Sequence, residues 1–90
     1  MPISLTGGKP AYAETFISVP ARAGEQSAAV QVSHEWLRER EAVSATGPAE
    51  LLARAEIYET EIERVARAKY AAADFALDNG TVIVRIRTGD

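Results

Sequence analysis

His34 is the only histidine in the chain, and it stands between Ser33 and Glu35. Histidine is the side chain best suited to moving protons near neutral pH, so a serine–histidine–acid relay here would have to use it. Adjacency in sequence does not make a relay, because nucleophile, base and orienting acid must converge in space. The expectation is an exposed residue in the first turn of a helix. With no cysteine and no HxxxH or ExxH pair, neither a thiolate nor a histidine-based metal site is expected. Glu56, Glu59 and Glu63 fall on one helical face, and clustered carboxylates can bind a divalent cation or exchange protons. They lie opposite an apolar stripe and beside Arg67, which predicts a solvated face. The glycines and lysine of "TGGKP" lack the GxxxxGK[ST] frame of a phosphate loop and read as a turn. No catalytic residue, metal or cofactor is assigned.

Three cations remain. Lys69 falls in the centre of the long apolar stripe, where leucine or isoleucine would be expected. Either the core has ended and the ammonium reaches solvent near the negative end of the helix, or it meets an anion or a partner subunit. Arg85 and Arg87 alternate along the last strand on the side away from the core, and with Lys69 they can converge near one end of a sheet. Ile57 and Phe75 lie together on a face away from the main stripe. With Ile83 they form the candidate interface.

The elements that position these residues follow from periodicity. Ile3 and Leu5 alternate in a short edge strand, and "GGKP" turns. Residues 12–19 are rich in β-branched and aromatic types and read as a strand that Pro20 ends or places at an edge. Gly24 marks a turn. Residues 27–33 alternate Ala28, Val30 and Val32 against Ala29 and Gln31, a half-buried strand paired to the previous one. Ser33 is a good N-cap for a short helix over 34–42, followed by a loop. Pro48 opens a long helix over 48–74, whose stripe is Leu51, Ala55, Tyr58, Ile62, Val65 and Ala73. Glu50 and Arg54, and Glu63 and Arg67, are at ion-pair spacing. Asp78-Asn79-Gly80 is a turn, and residues 81–87 form a strand with Val82, Val84 and Ile86 facing the core.

The order β-β-α-α-β, with a possible extra N-terminal strand, predicts a two-layer α+β fold. A small antiparallel sheet would be covered on one face by a short and a long helix. Ninety residues make one domain, spanning 1–90. Apolar residues are 47% and charged ones 26%, an ordinary globular balance. The net charge of −3 and the lack of a basic cluster predict no nucleic-acid partner. No segment resembles a membrane span or a secretory signal, so a cytoplasmic location is expected. An unbroken helix over 48–74 would run about 40 Å, beyond the roughly 30 Å diameter of a domain this size. That overhang and the open sheet edges predict a homodimer.

"ETFISVPARAG", "AAVQVSHEWL", "LLARAEIYETEIERVARAKY" and the final "VIVRIRTGD" together resemble the small bacterial proteins grouped as domain of unknown function 1488. The most specific points are Val32-Ser33 before Leu37, and Ile62-Glu63 with Ala66 and Lys69-Tyr70. Ala55 stands where members tend to carry an aromatic, and Glu59 where they carry arginine. The resemblance implies a compact α+β fold and transfers no active site. The expected function is a non-catalytic interaction or structural module that homodimerises. The alternative is a binding module for a small anionic ligand or acidic peptide, using Lys69, Arg85 and Arg87.

Overall fold

The computed structural model describes residues 2–40 and 47–90. The elements are β1 (Ile3–Leu5), β2 (Ala11–Tyr12), β3 (Phe16–Ala23), β4 (Gln26–Ser33), α1 (His34–Glu39), α2 (Pro48–Ile57), α3 (Glu59–Ala71), β5 (Ala76–Asp78) and β6 (Thr81–Ile86). They form a small α+β domain: a six-stranded sheet in the order β1-β3-β4-β6-β5, with β2 also paired to β3. The helices pack on one face. Residues 41–42 of the expected first helix and the loop over 43–46 lie outside the described residues.

Alternation sets the two faces of the sheet. Ile17, Val19, Ala21, Val30, Val32, Val82, Val84 and Ile86 are buried in one core with Trp36, Leu37, Leu51, Ala55, Ile62 and Ala66 from the helices. Leu51 and Ile62 are buried as the stripe predicts; Tyr58 and Val65 are half-buried against the same core.

The sheet is mixed rather than antiparallel. β4 and β6 run parallel, with Val30 opposite Val84 and Val32 opposite Ile86. The reason is β5, a strand the periodicity does not reveal. It returns from the helices antiparallel to β6 and is joined to it by Asn79-Gly80. Both turn residues have positive φ, 51° and 80°, the combination that matches the twist of a tight hairpin. The chain therefore re-enters the sheet one strand early, and β6 lies alongside β4 in the same direction.

Two further boundaries differ from expectation. The first long strand is two pieces, β2 and β3, and β3 continues through Pro20 to Ala23. The Pro20 carbonyl accepts from Thr6 N at 3.1 Å. The missing N–H therefore faces the same side, between the β2 pairing at 17–18 and the β1 pairing at 21–23, where no ladder bond is lost. The long helix is also two. It bends at Tyr58 (φ −95°, ψ 18°), whose hydroxyl donates to the Arg40 carbonyl at 3.2 Å. The Tyr58 ring meets Trp36 edge to face, 6.4 Å between centroids.

α3 ends at Ala71. Ala73 N donates to the Tyr70 carbonyl (3.1 Å) and Asp74 N to the Lys69 carbonyl (2.8 Å), a Schellman stop with Ala73 left-handed at φ 60°. Ala73 is thus exposed and outside the helix rather than part of the stripe. Neither helix overhangs, being about 15 Å and about 20 Å long against a longest molecular dimension of 37 Å. The overhang argument for a second subunit falls.

Candidate functional site

Lys69, Arg85 and Arg87 converge. With Asp74, Phe75, Ala76 and Ile83 they line a depression of about 180 Å³ between the end of α3 and the edge of β6. Lys69 does not bring free charge to it. Its ammonium lies 3.0 Å from Asp90 Oδ2 and 3.1 Å from Asp74 Oδ2, with the side chain only 16% exposed. Burial, the largest influence, works against the charge. The hydrogen bonds to Asp90 and Asp74 outweigh it and hold the Lys69 pKa above its ordinary value. Neither of the two sequence readings of Lys69 foresaw this arrangement. The core has ended there, but the ammonium is neutralised within the chain rather than by water.

Asp90 completes the lock. Burial pushes its carboxyl up, but the Arg87 main-chain N–H (2.8 Å) and then Lys69 outweigh that and leave it below the usual range. The Asp90 main-chain oxygen accepts from Trp36 Nε1 at 3.2 Å. The segment after β6 is thereby pinned to α1 and α3 together.

Arg85 and Arg87 are exposed, and among the described residues neither guanidinium is in an ion pair. They also line a second, larger and open depression of about 500 Å³, with Thr15, Phe16, Gln31, Ser33 and Ile86 of the sheet end and Glu35 of the first turn of α1. Cross-strand pairing builds this wall: Gln31 lies opposite both Ser18 and Arg85, and Ser33 lies opposite Phe16. Glu35 is engaged by Arg38 at 3.1 Å.

The expected interface residues separate. Phe75 stacks on Tyr70, 5.0 Å between centroids, and lines the smaller depression with Ile83. Ile57, 62% exposed, is at the far end of α3 from Phe75. One continuous helix over residues 48–74 would bring the two together; the bend at Tyr58 and the stop at Ala71 separate them. Leu77, absent from the sequence reading, is 64% exposed on the outermost strand beside Phe75. Its signal was the Asn-Gly turn, which implies a strand on both sides.

His34 is buried rather than exposed, at 4%. β2 folds back so that Tyr12 stacks on it, 5.1 Å between centroids. Among the described residues its Nε2 has no hydrogen-bond partner, and Ser33 Oγ is occupied as the N-cap, accepting from Trp36 N at 3.1 Å. No proton relay connects the two. Glu63 is likewise not purely solvated. It is half-buried, and its Oε2 accepts from Leu5 N at 2.9 Å while Oε1 lies 3.5 Å from Arg67. Arg67 Nε donates to the Ile3 carbonyl at 3.1 Å, so these charges hold β1 to α3. Glu59 is half-buried too; Glu56 is exposed as expected. Among the described residues no three potential ligands form a metal cluster, and no helix is long and apolar enough to cross a membrane.

One polar cluster escaped the sequence reading. The Arg40 guanidinium lies 3.4 Å over the Trp36 ring and 2.7 Å from Glu61. The hydrogen bond from Arg40 holds the Glu61 carboxyl below its usual range. This cluster ties α1 to α3 and has structural work throughout. Compared with family models, curated proteins and solved structures, the chain matches none.

Proposed function

We propose that this chain is a small non-catalytic interaction module that self-associates along β5. The observation that supports this is the apolar outer strand. Leu77 on β5, and Phe75 just before it, are exposed at the edge of the sheet, on a side of β5 that no other strand covers. A second copy pairing β5 antiparallel to β5 would use the same patch on both subunits, the self-complementary arrangement of a two-fold dimer. The setting is the bacterial cytoplasm, with which the absence of cysteine is in keeping, and nucleic acid has no part in it. The resemblance to domain of unknown function 1488 carries no activity and adds no weight to either reading. Sedimentation equilibrium at micromolar concentration tests the proposal. The wild type should exceed the monomer mass of 9.7 kDa, and Leu77→Lys should return it to that mass. A wild type that stays monomeric across the range refutes it.

A second reading, binding of a small anion, is supported by a different observation: two neighbouring exposed guanidiniums that form no ion pair among the described residues, although the charge of Arg87 also acts on Asp90.

A further inference from the structure

We infer that the open depression lined by Phe16, Gln31, Ser33, Arg85 and Arg87 is a binding site for a phosphate monoester carried on a flat ring. This deepens the anion reading of Arg85 and Arg87 and does not depend on self-association at β5. A volume of about 500 Å³ falls in the range of small-molecule sites. Arg85 stands near the end of β6 and Arg87 is the residue just after it, and both line the same depression. Two planar guanidiniums on one wall match a dianionic phosphoryl group, which guanidinium binds through paired N–H donors.

The rest of the wall is of the complementary kind. Gln31, the direct cross-strand neighbour of Arg85, brings an amide with both donor and acceptor. Ser33 keeps its hydroxyl proton to donate, since its oxygen serves as acceptor for Trp36 N. Phe16, opposite Ser33, is half-buried and supplies an apolar surface across the cavity from the arginines. The one acidic residue on the rim, Glu35, is paired with Arg38. The cavity thus has a cationic side and an aromatic side, and a ligand must be charged at one end and flat at the other to use both. Lys69 is excluded from the site, because Asp74 and Asp90 take up its charge.

The test is an amide chemical-shift titration of the full chain with phenyl phosphate and, separately, inorganic phosphate. Phenyl phosphate should produce saturable shifts at Phe16, Gln31, Ser33, Arg85 and Arg87. Inorganic phosphate should shift the arginine side of the same set about tenfold more weakly, for lack of ring contact. Arg85→Gln should weaken phenyl phosphate by at least about tenfold. Arg22→Gln, which alters an exposed arginine not among the cavity's lining residues, should leave it unchanged. Equal affinity for the two probes overturns the ring site while leaving anion binding intact. Shifts from neither probe at Arg85 and Arg87, or shifts undiminished in Arg85→Gln, overturn both.

Discussion

Ala73→Gly should stabilise this protein, although Ala73 is exposed and belongs to no regular element. Ala73 closes α3 in the left-handed region, at φ 60°. It is held there by its own N–H on the Tyr70 carbonyl and by Asp74 N on the Lys69 carbonyl. For a residue with a Cβ that conformation costs about 1–2 kcal/mol. Glycine removes the penalty but raises the entropy of the unfolded chain by about 0.5–1 kcal/mol. The difference predicts a net gain of about 0.5–1 kcal/mol, or a rise in Tm of about 2–8 °C for a domain of this size. Ala72 is the control, because it is also exposed but has a right-handed φ of −85°. There glycine relieves nothing, and Ala72→Gly should lower stability. Urea unfolding followed by far-UV circular dichroism measures both. The reasoning fails if the two substitutions shift stability in the same direction, or if Ala73→Gly lowers it.

Glu63→Ala should cost about 1–3 kcal/mol by orphaning the Leu5 amide, and should speed exchange of that amide more than those of β4. Equal exchange at Leu5 in both proteins refutes the anchoring role. The pH dependence has a defined sign. Glu61 and Asp90 have folded pKa values below their reference values of 4.5 and 3.8, so each contributes stability above that value, lost as pH falls through its folded pKa. Lys69 is raised above 10.5, so its contribution is full below that value and is lost as pH rises through its folded pKa. Urea unfolding from neutral pH into acid should therefore show a steeper loss in the wild type than in Glu61→Gln. Superimposable acid limbs contradict the Arg40–Glu61 pairing.

Local chemistry determined much of this protein. Alternation over residues 27–33 and 81–87 assigns the inward sides of β4 and β6 because successive side chains in a strand point to opposite faces. The Ser33 cap and Pro48 mark helix starts through backbone groups within four residues of them. That Ile83 and Arg85 lie on the outer side of β6 was legible for the same reason, but Ile83 is buried there rather than open to a partner, and Arg87 lies beyond the strand. What joins those residues to others was not legible. The parallel pairing of β4 with β6 links positions more than fifty residues apart, and its direction depends on β5, three residues without a β-branched side chain. The bend at Tyr58 has no proline or glycine to announce it; it coincides with a bond to Arg40, the residue that caps the end of α1. Lys69 reads as a misplaced cation until Asp90, twenty-one residues later, is brought to 3.0 Å. His34 reads as a surface residue until Tyr12 closes over it. Helix and strand periods are properties of neighbours along the chain, so the sequence determined them alone. Which charges are cancelled, and which residues of distant strands line one depression with Arg85 and Arg87, depends on packing between distant segments and was decided only by the tertiary fold.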